Sequence, residues 1–87
     1  MKLRHVSVLR KYKLDKRKWC YYINGELDDY PSPLWCKYFQ LFWMSTPSLQ
    51  ELSSEPQINQ NTITIPVSDE NNICTALNAL REVVSSL

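Results

Sequence analysis

Residues 32–45, SPLWCKYFQLFWMS, constrain the fold of this chain more than any other segment. Ser32 followed by Pro33 is typical of a helix N-cap with proline at the first helical position, so the segment predicts a helix over residues 33 to about 44. At about 100° per residue, the apolar sector of this helix spans roughly 220°, whereas covering a core on one side takes roughly 100°. Such a helix has to be covered on two sides.

The apolar side chains of this helix fall into two rows. One row, predicted to lie on a sheet, consists of Leu34, Tyr38, Leu41 and Phe42. The other row, with a spacing of four, consists of Trp35, Phe39 and Trp43. Leaving a large apolar side chain in water forgoes roughly 1.5–3 kcal/mol, so the second row must be covered by the C-terminal helix, by the loop of residues 45–60, or by a partner. We take the second row as the candidate interface for a second copy, another protein or an apolar ligand.

A β-strand is the alternative for residues 34–44, because Trp, Tyr, Phe and Cys also favour sheets. Lys37 and Gln40 have opposite parity, which disfavours a strand with one polar side. We therefore prefer a helix for residues 34–44 and keep the β-strand as the alternative.

The rest of the chain predicts an α+β fold, with a small antiparallel sheet of three to four strands and two helices packed on one face. The predicted order is β-β-(β)-α-β-α in a single domain of residues 1–87. Residues 3–13 and 16–23 read as two strands of a hairpin, with the turn near residues 13–16. Asn24-Gly25 then predicts a second tight turn, because both residues tolerate positive φ, and ELDDY becomes a short third strand.

Two elements follow the loop region, in which Thr46-Pro47 could cap a short helical turn holding Leu49 and Leu52. Residues 62–65 alternate Thr and Ile, which indicates a strand with one buried face, and Pro66 suggests its end or a sheet edge. Ser68 is predicted to cap a final amphipathic helix, with Arg81 and Glu82 facing water and Leu80 central. The apolar stripe of that helix consists of Ile73, Ala76, Leu77, Leu80, Val83, Val84 and Leu87.

Charge is unevenly distributed, although the net charge is only +1. Residues 1–18 hold eight lysines and arginines against one acid, and the rest of the chain carries a charge of −6. Basic strands with adjoining aromatics can bind single-stranded nucleic acid. The candidate residues for that role are Arg10, Lys11, Lys13, Lys16, Arg17, Lys18 and Trp19. The alternatives are a solvated edge whose lysines discourage strand pairing, and head-to-tail attraction to the acidic part of another copy.

The sequence offers no chemistry that points to an enzyme or a cofactor. A single glycine excludes a glycine-rich phosphate loop, His5 stands alone, and no nucleophile motif is found. Cys20, Cys36 and Cys74 are odd in number and widely spaced, so we expect three reduced thiols and no metal. No export signal or membrane span is recognisable, which predicts a cytoplasmic protein with no membrane partner.

These observations predict a small non-enzymatic binding module that self-associates through the aromatic helix face. The alternatives are binding of nucleic acid or another polyanion by the basic hairpin, and binding of an apolar small ligand at the aromatic row. In overall character the short chain, with its few glycines and many aromatics, resembles small bacterial proteins carried on phages or mobile gene cassettes. No motif carries that resemblance, so it implies no fold and no site residues.

Overall fold

The protein folds as a four-stranded antiparallel sheet with helices, in a computed structural model that describes residues 1–52 and 55–87 and the side chains of all of these except Leu52. The strands are β1 (Leu3–Lys13), β2 (Lys18–Leu27), β3 (Gln57–Asn59) and β4 (Thr62–Val67). The helices are α1 (Pro33–Ser45), α2 (Pro47–Leu52) and α3 (Ile73–Ser86), with a 3-10 turn, Glu70–Asn72, before α3. The strand order is β1-β2-β4-β3. The predicted α+β class is therefore confirmed.

The β1–β2 hairpin is longer than the sequence predicted. Its strands pair from Leu3 opposite Leu27 to Lys13 opposite Lys18, which leaves residues 14–17 as the turn. The predicted turn at Asn24-Gly25 and the separate strand ELDDY are wrong, because β2 continues through both residues to Leu27. Gly25 does not have a positive φ.

Gly25 instead gives α3 room to approach the sheet. A Cβ at this position would lie 3.0 Å from Leu80 Cδ2 and 2.9 Å from Leu3 Cδ2, closer than carbon atoms ordinarily pack. Glycine in a strand often marks such a close approach. The chain's single glycine is therefore explained by packing.

Arg17 adopts a backbone conformation that L-residues disfavour, with φ at 49° in the hairpin turn. We expect Arg17→Asn to raise the free energy of unfolding by about 0.5–1 kcal/mol, because asparagine tolerates this region better than arginine. Urea unfolding followed by circular dichroism measures the change. Lys16→Asn is the control, since it removes the same charge from a neighbouring position that has no positive φ. A lower urea midpoint for Arg17→Asn than for Lys16→Asn would contradict this account.

The second half of the sheet is built around β4. This strand pairs with β2 from Tyr21 opposite Val67 to Glu26 opposite Thr62, as its alternating pattern predicted. Strand β3 was not predicted, because three residues are too few to show an alternation. It pairs with β4 only as far as Thr64, so Pro66 has a partner strand on one side alone, as an edge position requires.

The core lies between one face of the sheet and the helices. Alternate residues of β2 and β4 point into it, which buries Ile23, Leu27, Ile63, Ile65 and Val67. The predicted stripe of α3 supplies the opposite side with Ala76, Leu80, Val83 and Val84, while Ile73 and Leu77 are half-buried and Leu87 is exposed. Arg81 and Glu82 face solvent, as predicted. The predicted cap at Ser68 is wrong. Asp69 caps the 3-10 turn before α3 by accepting a hydrogen bond from the Asn71 N–H at 3.0 Å, and the N-cap of α3 itself is Asn72, which makes no side-chain cap hydrogen bond.

Helix α1 begins as predicted but presents the opposite row to the sheet. Ser32 Oγ accepts a hydrogen bond from the Trp35 N–H at 3.1 Å. Phe39 and Trp43 are completely buried and Trp35 is half-buried, and their rings stack at centroid distances of 5.5 and 5.9 Å. The prediction that the row from Leu34 to Phe42 lies on the sheet is therefore wrong. Both rows are apolar, and the fit of the stacked Trp35, Phe39 and Trp43 rings to the core decides between them.

Candidate functional site

The outer face of α1 is apolar and has no cover within the described part of the chain. Its side chains are Leu34, Tyr38, Leu41 and Phe42, which are 58%, 55%, 54% and 46% exposed. These four residues, at positions i, i+4, i+7 and i+8, form one continuous row, which we call the outer stripe of α1. Exposed Met44 flanks it, and Lys37 is the only charged residue in the helix. A solvent-facing helix surface ordinarily carries many more charges.

A groove extends the outer stripe towards α3. It has a volume of about 250 Å³ and lies where α1 meets α2 and α3. Its apolar lining comes from Phe42, Leu49, Ala79 and Val83. Phe42 therefore belongs both to the outer stripe and to the groove, and the two form one apolar surface.

The β1–β2 hairpin tip, residues 10–19, is the second distinctive surface. Tyr12 pairs with Trp19 across the strands, and their rings meet edge to face at a centroid distance of 5.2 Å. The Arg10 guanidinium carbon lies 4.4 Å from the centre of the Trp19 ring. Both rings remain 45% exposed, so the tip carries an aromatic pair with a cation stacked on it. Such a cation–π contact contributes about 0.5–1 kcal/mol at an exposed site.

The opposite face of the hairpin holds lysines around one tyrosine. Lys11 Nζ lies 5.8 Å from the centre of the Tyr22 ring. Interaction with the Tyr22 hydroxyl raises the pKa of the Lys13 ammonium above its ordinary value. The Lys13 ammonium is charged throughout the neutral pH range, as an ordinary lysine is. Both faces of the hairpin tip are therefore cationic and aromatic.

The cations of the tip have no acidic partners in the described structure. Within residues 1–52 and 55–87, the ion pair found joins Arg4 to Glu26 at 3.8 Å, well away from the turn. A cleft of about 460 Å³ beside Lys13, Lys16 and Lys18 brings Glu51 near them without forming an ion pair. The positive charge of the tip is therefore neutralised by ions of the solvent or by a ligand.

The structure separates the two sets of residues that the sequence singled out. The seven nucleic-acid candidates lie together at the hairpin tip because the turn falls within one residue of its predicted position. The interface candidates Phe39 and Trp43 are in the core and cannot meet a partner or an apolar ligand, and Trp35 is half-buried. Tyr12 was missed, because the turn lies one residue later than predicted, at residues 14–17, and only this register brings Tyr12 opposite Trp19.

Clusters of possible metal ligands are not found in the part of the chain that the structure describes. Cys20 and Cys36 are half-buried and Cys74 is exposed, each as a free cysteine. No three His, Cys, Asp or Glu side chains among the described residues come together as metal ligands. His5 is exposed on β1. None of the described helices is long and apolar enough to cross a membrane.

Comparison of the chain with protein-family models, curated proteins and solved structures gives no match. The outer stripe of α1 and the hairpin tip are the two candidate interaction surfaces among the described residues.

Proposed function

We propose that this protein is a small non-enzymatic interaction module that self-associates through the outer stripe of α1. The observation that carries the proposal is a row of four large apolar side chains, each about half exposed, on a helix with one charge. Contiguous exposed apolar surface of this kind is typical of protein–protein contacts, where aromatic residues are enriched and charges are depleted. The candidate interface thus moves from the buried row to the exposed row of the same helix.

A second copy of the chain fits this surface by an antiparallel pairing of two α1 helices. A two-fold axis between Tyr38 and Leu41 would place each of these side chains opposite the other in the second copy. The same axis would place Leu34 opposite Ser45, a large side chain against a small one. The two Lys37 side chains would be offset by about 7.5 Å along the helices, since five residues separate their positions. The two like charges would therefore not face each other directly.

The size of the outer stripe sets the expected affinity. A buried aromatic residue removes about 150–250 Å² from water, so four half-exposed side chains offer roughly 400 Å² in each copy. Two copies would bury roughly 800 Å² through the stripe alone, below the usual 1,200–2,000 Å² of a stable interface. The groove beside Phe42 adds to this area. We therefore expect a reversible dimer with a dissociation constant in the micromolar range.

Leu41→Glu is expected to abolish self-association while leaving the fold intact. Leu41 is exposed and glutamate is a good helix former, so the substitution should leave the fold of the monomer intact. It should destabilise the dimer, because two glutamates would meet apolar surface at the interface. Light scattering after size exclusion, over micromolar to millimolar protein, should show the parent shifting from monomer to dimer and the variant staying monomeric. Circular dichroism checks that the variant is folded.

Leu14→Glu is the matched control for this experiment. It makes the same change of side chain and charge at a leucine that is 82% exposed in the hairpin turn, away from α1. We expect it to dimerise like the parent. A parent that stays monomeric at millimolar concentration, or a Leu41→Glu variant that dimerises like the parent, would rule the proposal out.

A further inference from the structure

We infer that the hairpin tip binds single-stranded nucleic acid, with a base stacked at Trp19 and phosphates held by the cations around it. This site is separate from the outer stripe of α1 and does not depend on self-association. The inference rests on three features of the tip: its unpaired charge, its aromatic platform and the backbone of its turn.

The charge of the tip matches a phosphate backbone. Residues 10–18 contain six lysines and arginines and one acid, Asp15. All six belong to β1, β2 or the turn between them, and none forms an ion pair within the described residues. Neutralising phosphates with such cations releases counterions from the nucleic acid, which drives binding at low salt.

Trp19 gives the tip a surface on which a base can stack. Tyr12 holds its ring edge to face, and Arg10 lies over it at the distance of a stacked group. A base stacked on an aromatic side chain gains more than an exposed cation–π contact. A base can therefore take the place of Arg10, which frees the guanidinium for a phosphate. The bases of a duplex are already stacked on each other, so this platform selects single strands.

Arg17, a cationic residue of the turn, has a backbone conformation that is unfavourable for arginine. Arg17 occupies the left-handed region, where glycine or asparagine is the usual residue. Strained residues of this kind concentrate at functional sites. Arginine at this point adds a guanidinium to the turn of the hairpin. Arg17→Asn should thus stabilise the fold and weaken binding, two effects in opposite directions.

The distribution of side chains favours nucleic acid over a membrane surface. A segment that lies on a membrane separates an apolar face from a charged face. The hairpin tip does not, because Arg10 shares a face with Tyr12 and Trp19, while Lys11 and Lys13 share the other face with Tyr22. Aromatic rings and cations are interleaved on both faces of the hairpin. A single-stranded nucleic acid requires this arrangement, because its bases stack on aromatic rings and its phosphates contact cations.

Fluorescence anisotropy of labelled oligothymidylate and oligouridylate, about 15 nucleotides long, tests the inference with the full chain. We expect binding at 50 mM salt that weakens about 100-fold by 200 mM, as about five phosphate contacts would give for a single strand. Trp19→Ala should weaken binding about tenfold or more, and Trp19→Phe should retain most of it. Trp19 is part-exposed near the turn, so both variants are expected to fold, which circular dichroism verifies.

Two triple variants separate local contacts from overall charge. Lys16→Gln/Arg17→Gln/Lys18→Gln should reduce the slope of log K against log salt by about 2. Lys2→Gln/Arg4→Gln/Arg81→Gln removes the same charge from a cluster around the other end of β1 and should leave that slope unchanged. Equal effects of the two triples would overturn the inference.

Three other results would also overturn it. These are no binding to either oligonucleotide at 50 mM salt, unchanged binding by a folded Trp19→Ala variant, and tighter binding to vesicles of anionic phospholipid or to heparin than to the oligonucleotides. The last result would assign the tip to a membrane or to polyanions in general.

Discussion

Trp43→Ala is expected to lower the free energy of unfolding by about 3–5 kcal/mol. Trp43 is completely buried and stacks on Phe39 at a centroid distance of 5.9 Å, so its removal leaves a large cavity beneath α1. A chain of this length has a total stability of roughly 4–13 kcal/mol, so the loss is a large fraction of it and would unfold the variant at room temperature if the parent lies at the lower end of that range. Urea unfolding followed by near-ultraviolet and far-ultraviolet circular dichroism measures the loss.

Two further substitutions make this a test of which row of α1 is buried. Phe42→Ala, at the adjacent position, should cost only about 1 kcal/mol because that ring is half exposed. Trp43→Phe should cost about 1–2 kcal/mol, since it keeps most of the ring volume and the Trp43 indole N–H has no hydrogen-bond acceptor among the described residues. A larger loss for Phe42→Ala than for Trp43→Ala would restore the orientation that the sequence first suggested.

Much of the fold could be predicted because its signals are local. The bounds of α1 follow from Ser32 and Pro33, and the stripe of α3 from apolar residues at helical spacing. The hairpin turn was predicted to within one residue because charged residues interrupt two stretches that favour strands. Each of these signals lies within a few residues of the element that it specifies, so no knowledge of tertiary contacts was needed.

The wrong predictions have a different cause. In each case the local sequence allows two structures, and contacts with residues distant in the sequence select one of them. Both rows of α1 are apolar and regularly spaced, and only the shape of the core selects the row of Phe39 and Trp43. Gly25 could serve a turn or a close approach, and the choice is made by Leu80, far along the chain. Strand β3 depends on β4 for its pairing and has too little sequence of its own.

The same distinction between local and distant signals applies to the two candidate surfaces. The charge of the hairpin tip could be predicted from composition and one turn, and its cations do lie together. The outer stripe of α1 was visible as an apolar row but was assigned to the core. An apolar residue carries the same sequence signal whether it is covered by its own chain or by another. Only a structure separates the two uses.

Leu80→Ala is expected to cost about 2–5 kcal/mol, because Leu80 is completely buried where α3 crosses β2. Gly25→Val is expected to cost about 1–3 kcal/mol, because its side chain would meet Leu80 and Leu3 in a filled space. Both are measured by urea unfolding. Arg81→Ala and Glu82→Ala, on the solvent side of the same helix, are the controls and should stay within about 0.5 kcal/mol of the parent.

Combining Leu80→Ala with Gly25→Val tests the contact between α3 and the sheet directly. The added valine would occupy part of the space that the leucine leaves, so each change should reduce the cost of the other. We expect the double variant to lose less free energy of unfolding than the sum of the two single losses, by about 1 kcal/mol or more. Additivity within about 0.5 kcal/mol would mean that Leu80 does not lie over Gly25. A Leu80→Ala variant with the urea midpoint of the parent would mean that α3 is not docked on this sheet at all.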